Sequence, residues 1–345
     1  MGIALDSLGL FEATASTPEQ VADAADAARG LAGLPDRERI ENVVVLGMGG
    51  SGVAGDILQA VAGPFLPVPV VVVKSHTLPA FVGESSLVFA VSCSGDTEET
   101  IEAASEAAIQ GARMVAVTGE GELDKLARGW GAPVISVPKV PAPRVGIGAV
   151  AIPALVVLEE MGFFPGASEW IGLAVEQLQR RRSELVPEDN PARDLAREVG
   201  RTIPLIYGGD SLGATAARRW KTQINENAKA PAFWNVQPEL CHNEIEGWGQ
   251  HGDVTRQVMS LIHLRHDSEH PQVMRRFELL DTWIREAVSN IYEVRAQGEC
   301  ELAQLLDLIL FGDFFSLYLA DQEGIDPGPT PTLDEFKSSS SNNPA

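Results

Sequence analysis

The sequence predicts an α/β chain of two tandem, doubly wound parallel-sheet units, on three observations. Short apolar runs rich in β-branched residues alternate with stretches of helical character. The glycine turn Gly47-Met48-Gly49-Gly50-Ser51-Gly52 joins the first such run to a helix, and the same order of strand, loop and helix begins again at Thr202-Ile203-Pro204-Leu205-Ile206-Tyr207-Gly208-Gly209. Alternating strands and helices argue for parallel sheets. At 345 residues the chain also exceeds the roughly 250 to 300 residues at which a single core stops growing. The expected organisation is an N-terminal helical segment over 1–34, a first domain over 35–165, a second over 170–337 and a disordered tail over 338–345.

In chain order, residues 17–33 are alanine-rich, with Pro18 at a first helical position and acid in the first turn, which is how helices start. Asn42 to Leu46 is a continuous apolar run suited to a strand buried on both faces. Val68 to Val73, Leu87 to Val91, Met114 to Val117 and Val134 to Val137 repeat it, with helices expected at Thr97 to Ile109, Glu122 to Arg128 and Gly146 to Met161. A charged stretch, Arg180-Arg181-Arg182, and two prolines then mark a change of composition. The second unit is expected to comprise the strand at Thr202, a helix through Trp220 into Asn225-Glu226, strands at Val258 to Leu264 and Ile291 to Val294, and helices at Pro271 to Ala287 and Leu302 to Leu319.

The bulk properties exclude several classes. With 45% hydrophobic and 21% charged residues, wholesale disorder has no basis. A formal charge of −22 repels polyanions, so neither nucleic acid nor an anionic membrane is an expected partner. Cys93, Cys241 and Cys300 are too scattered for a disulfide framework or a zinc cluster, which suits a reducing cytoplasm. No leader and no uninterrupted apolar run of membrane-spanning length is read. Of the histidines, His76 and His251 stand alone, while His263, His266 and His270 read as surface; no metal or cofactor is expected.

Parallel sheets place ligands at the C-terminal ends of their strands, and two loops fall there. The first fits Gly-x-Gly-x-x-Gly at Gly47, Gly49 and Gly52, so a nicotinamide fold is one alternative; but the next strand ends Val73-Lys74-Ser75, without the acid that would hold a ribose. A structural turn and a phosphate or sugar site are the others. The second loop, Ser92-Cys93-Ser94-Gly95-Asp96-Thr97, offers three hydroxyls at a strand-to-helix junction, which suits a phosphomonoester. Cys93 reads as packed rather than nucleophilic. Pro141-Ala142-Pro143-Arg144 fixes one arginine on a rigid loop, and Asn225-Glu226-Asn227-Ala228-Lys229, followed by His242, supplies a carboxylate at a helix end and an imidazole on a loop.

Together, Gly49-Gly50-Ser51, Ser92-x-Ser94-Gly95-x-Thr97, Arg144, Asn225-Glu226-Asn227-x-Lys229 and His242-Asn243-Glu244-Ile245-x-Gly247-Trp248 resemble the bifunctional phosphoglucose/phosphomannose isomerases, which are built from two sugar isomerase (SIS) domains. The resemblance runs from about Asn42 to Lys337. It implies a hexose 6-phosphate substrate held at Gly49, Gly50, Ser51, Ser92, Ser94 and Thr97, with Glu226 moving the proton between C2 and C1 and Arg144 facing the enediolate. It further implies that His242 acts in ring opening across a homodimer interface, that Lys337 assists ring opening and that Thr330 permits both C2 epimers. The chemistry is consistent on its own terms, since a carboxylate held out of water suffices to move a proton α to a carbonyl. A non-catalytic sugar-phosphate sensor is the alternative, and it needs the cradle but neither Glu226 nor His242.

Overall fold

The structure, a computed structural model, describes residues 2–341. Five strands form the first sheet: β1 Asn42–Leu46, β2 Val70–Val73, β3 Ser86–Ser92, β4 Arg113–Thr118 and β5 Val134–Ser136. They run parallel in the order β2-β1-β3-β4-β5. β1 and β3 are buried along their whole length, which is why their sequences show no polar alternation. The order reverses between β1 and β3, so the loops following those two strands flank the crevice where such sheets bind ligands.

The second sheet holds β6 Ile203–Gly209, β7 Phe233–Gln237, β8 Met259–Arg265 and β9 Asn290–Arg295, parallel in the order β7-β6-β8-β9. The helix Glu301–Gln322 runs through the common core, buried from Leu302 to Ala320. It is long and apolar enough to pass for a membrane span by length and composition, but its apolar window is wholly enclosed by the protein. Trp220 stacks on Phe315 and Phe311 of this helix, with ring centroids 5.2 and 5.8 Å apart, and donates to the Leu308 carbonyl at 2.8 Å. Glycine is required opposite it, because a Cβ at Gly312 would lie 2.2 Å from the indole nitrogen.

Several expectations need correction. β7 was not anticipated; Phe233-Trp234 follows Pro231 on a half-exposed edge strand and reads by sequence as an apolar continuation of the helix. The expected helix Gly146 to Met161 breaks into Ile147–Ala151 and Pro153–Glu160, because Pro153 has no N–H to carry the ladder through. The change of composition around Arg180-Arg181-Arg182 falls inside the helix Ala167–Leu185, in which Arg181 is buried and bidentate with Asp307 at 2.7 Å through Nε and Nη2. His263 and His266 are buried rather than on the surface: His263 packs between Tyr207 and Phe277, and the His266 ring bonds the Gly209 carbonyl. Ser338 to Ser341, expected in a disordered tail, close the helix Pro331–Ser341; the rest of that expected tail, 342–345, lies outside the described residues.

Candidate active site

The helix Asp210–Gln223 widens into a π-type turn over Ile224–Ala228 before it stops. The stop has local causes. Lys229 takes a left-handed conformation, φ 55°, the Asn225 amide donates to the Ala230 carbonyl at 2.8 Å, and Pro231 cannot extend the ladder. Single wide turns of this kind are a frequent feature of functional sites. Here the turn carries Glu226, whose side chain is 34% exposed, into the space above the first domain.

Arg144 meets it from the other domain. Its Nη1 stands 3.6 Å from Glu226 Oε2. Nε donates to Asn227 Oδ1 at 2.7 Å, and Nη2 donates to the Pro327 and Gly328 carbonyls at 2.7 and 2.8 Å. Burial pushes the guanidinium below its usual range, with Glu226 and Asp334 opposing that shift and Arg219 adding to it. Asp334 belongs to the helix Pro331–Ser341, so the C-terminal segment reaches the site electrostatically. Lys229 donates to the Pro327 and Glu226 carbonyls and so pins the same Pro327-Gly328 strap.

The two predicted loops converge beside this pair. Gly49 has φ 51°, a backbone state that favours glycine, and starts the helix Gly49–Val61. Gly50 lies against Arg144: a Cβ there would be 3.7 Å from the arginine Cα. The Ser51 hydroxyl accepts from the Cys93 amide at 3.1 Å, which ties the β1 loop to the β3 loop. Ser92 accepts from the Gly95 amide and donates to Thr97 Oγ1, both at 3.1 Å, while Ser94 Oγ is 3.5 Å from Thr97 Oγ1. Gly95, φ 79°, can be nothing larger, because a Cβ would come within 2.8 Å of the Gly119 carbonyl. Burial pushes the Cys93 thiol up to about 11, which keeps it protonated. A cavity of about 850 Å³ opens beyond Ser94 over the ends of β4 and β5.

The remaining predicted residues are placed differently. His242 ends a short turn, Glu239–His242, after β7; it is exposed and, among the described residues, its side chain makes no hydrogen bond or ion pair. Thr330 is half-buried and its carbonyl accepts from Asp334 at 3.0 Å; Lys337 is exposed on the last helix. Among the described residues no group of three or more His, Cys, Asp and Glu is placed to hold a metal. Lys74, where a ribose-binding acid would stand, pairs instead with Asp56 at 2.5 Å. Sequence reasoning missed Asn227 as a partner of Arg144, since the two are separated by 83 residues. The double asparagine flanking Glu226 was the signal available.

Residues 38–129 match the SIS domain family, and residues 188–339 match the family described as bacterial phospho-glucose isomerase C-terminal SIS domain. The chain is therefore a two-domain SIS protein. A bifunctional phosphoglucose/phosphomannose isomerase from Caldicellulosiruptor bescii is 34% identical over 95% of this chain and 98% of its own, and one from Aquifex aeolicus is 30% identical over 86% and 89%. This chain belongs to the bifunctional phosphoglucose/phosphomannose isomerase family. The C-terminal domain of glucosamine-fructose-6-phosphate aminotransferase from Francisella tularensis has the same fold, with a TM-score of 0.71 at 15% identity over 93% of this chain and 98% of that one.

Proposed function

We propose that this chain interconverts glucose 6-phosphate and mannose 6-phosphate with fructose 6-phosphate through an enediolate, with Glu226 as the base. The observation that carries this reading is the approach of Glu226 to Arg144 beside the hydroxyl cradle. A sensor would need the cradle alone. The phosphate sits on the Ser51, Ser92, Ser94 and Thr97 hydroxyls and the amides around Gly49 and Gly50. Glu226 removes the proton from C2 of the open-chain aldose; the C–H electrons form the C1–C2 double bond and charge moves onto the carbonyl oxygen, which Arg144 faces. The O2 hydroxyl proton passes to O1, the O2 electrons form the C2 carbonyl, and the electrons of the C1–C2 double bond take the proton back from the same carboxyl at C1. The reaction is redox-neutral within the substrate and draws on no external oxidant. Lys337 assists ring opening, and Thr330 leaves room for the enediolate to turn so that C2 is reprotonated from either face.

In this reading His242 opens the ring in the partner's site of a homodimer. Its exposure supports that role, as do the apolar residues on elements packed behind its loop. Leu279 and Trp283 on the helix Pro271–Ile284 are exposed, Trp283 by 74%, and the same helix buries Phe277 and Leu280 against Leu240. Three free thiols suit a reducing cytoplasm. The activity is tested with a coupled assay on each hexose 6-phosphate in the presence of a chelator. Equal failure on both sugars would sink the proposal. Mixing Glu226→Gln with His242→Ala chains tests the sharing: recovered activity supports a shared site, and none places His242 in its own chain's chemistry or outside it.

A further inference from the structure

Two buried arginines lie side by side at the domain junction, and they are treated oppositely. Arg219 is neutralised: its Nε and Nη2 meet both oxygens of the buried Asp313 at 3.0 and 2.8 Å. Arg144 is also enclosed, but among the described residues its hydrogen-bond partners are neutral, namely the Asn227 amide and the Pro327 and Gly328 carbonyls. Of the carboxylates that act on it, Glu226 stays 3.6 Å away at Nη1 and Asp334 acts only through space. Burying a cation without spending its charge is costly unless an anion arrives. Arg144 is thus oriented with no anion hydrogen-bonded to it among the described residues, which leaves its charge to act through space.

Asn227 is the residue that makes this possible. It is 0% exposed and both ends of its amide are used: Oδ1 takes Arg144 Nε, and Nδ2 donates to Ser316 Oγ at 2.9 Å. Ser316 Oγ in turn donates to the Asp313 carbonyl at 2.7 Å, and Arg219 Nη2 returns to the Arg144 carbonyl. The ring closes through four elements: the short turn Pro143–Val145 that carries Arg144, the π-type turn, the helix Asp210–Gln223 and the helix Glu301–Gln322. An aspartate in place of Asn227 would offer the same acceptor and would neutralise the guanidinium. An aliphatic residue would leave Nε–H unpaired.

We propose that Asn227 is a positioning residue for the isomerisation: its neutral amide locks Arg144 with only Nη1 turned toward Glu226 and the reacting carbons, and leaves the cation's charge for the enediolate. The assignment rests on the reading of Arg144 given above. Because the amide touches Arg144 rather than substrate, its effect travels through that side chain, and the charge that builds on the substrate in the transition state is what Arg144 meets. The geometry explains why an asparagine, and not an acid, fills a buried place beside an arginine.

The test is a double-mutant cycle on the full-length protein, reading kcat, KM for fructose 6-phosphate and the melting temperature. Asn227→Asp should lower kcat by about 100-fold, the scale of a small misplacement or mismatch at the reacting centre, with KM little changed. Its melting temperature should change little, since the partner gained by the buried cation offsets the donor lost to Ser316; a purely structural role would lower activity and stability together. Asn227→Ala should lower kcat in the wild-type background and change it by less than about twofold when Arg144 is already alanine. Full additivity in the cycle, or wild-type kcat in Asn227→Asp, overturns the proposal. Should Asn227→Ala fail to fold, the Asn227→Asp arm decides alone. A normal kcat in Arg144→Ala would instead sink the reading of Arg144 on which the proposal rests.

Discussion

Nη1 of Arg144 and Oε2 of Glu226 stand 3.6 Å apart, although the first belongs to the β5-following loop of one domain and the second to the π-type turn of the other. The contact therefore exists only when the domains are docked. Lysine cannot replace this arginine, since one ammonium cannot serve Asn227, Pro327 and Gly328 and still face Glu226. Arg144→Lys should lower kcat by about 100-fold. Its unpaired buried carbonyls should cost about 1–3 kcal/mol, read as a lower midpoint in chemical denaturation. A variant as active and as stable as wild type would contradict the geometry.

The proposed phosphate cradle allows binding to be tested apart from chemistry. Ser92 and Ser94 face Thr97 at 3.1 and 3.5 Å, and among the described residues no cation joins the hydrogen-bonded group. Ser94→Ala combined with Thr97→Val should raise KM for the hexose 6-phosphates by about 10-fold or more, the loss of one to two hydrogen bonds to a charged group, with kcat changed less. Inorganic phosphate should also weaken as a competitor. If it competes as well as before, the phosphate lies elsewhere.

We propose that epimer tolerance depends on Thr330, which follows the Pro327-Gly328 strap pinned by Arg144 and Lys229. A small hydroxyl leaves the enediolate room to turn about C2–C3, whereas a longer amide fills that room. Thr330→Gln should depress mannose 6-phosphate turnover more than glucose 6-phosphate turnover. A parallel fall in both, or no change, would remove Thr330 from that role.

Cys93 offers a pH-dependent check on the site's back wall. Burial raises its thiol to about 11, and the attacking form is the thiolate, so reactivity appears only as pH climbs toward that value. At pH 9 a thiol shifted from 9 to 11 is about 1% ionised rather than half, so alkylation at Cys93 should run about fifty-fold slower than for a free thiol. Mass spectrometry after timed iodoacetamide treatment would report it. Fast labelling at pH 8 would show that the thiol is open to solvent.

How much of this was legible in the sequence depended on how local each feature is. β1 runs over Asn42–Leu46 as predicted, because a strand buried on both faces writes itself as an unbroken apolar run. β7 was illegible: at a sheet edge its burial is partial, and Pro231 upstream of Phe233 makes the run resemble a helix's remainder. The helix Ala167–Leu185 was obscured by its arginines, although Ile171, Ala174, Leu178 and Leu185 mark a buried face at helical spacing. The clustering of the Ser92, Ser94 and Thr97 hydroxyls was legible because its members are contiguous. The hold on Arg144 was not, since its partners Pro327 and Gly328 lie 183 and 184 residues away and nothing local distinguishes those carbonyls from any others.

The central claim is that Glu226 carries the proton. Glu226→Gln keeps the size of the side chain and its position on the π-type turn while removing the base, so kcat measured in the coupled assay tests it most directly. Turnover with glucose 6-phosphate and with mannose 6-phosphate should both fall by about 100-fold or more, while fructose 6-phosphate still binds by calorimetry with near wild-type affinity. Near wild-type turnover in Glu226→Gln would contradict the account.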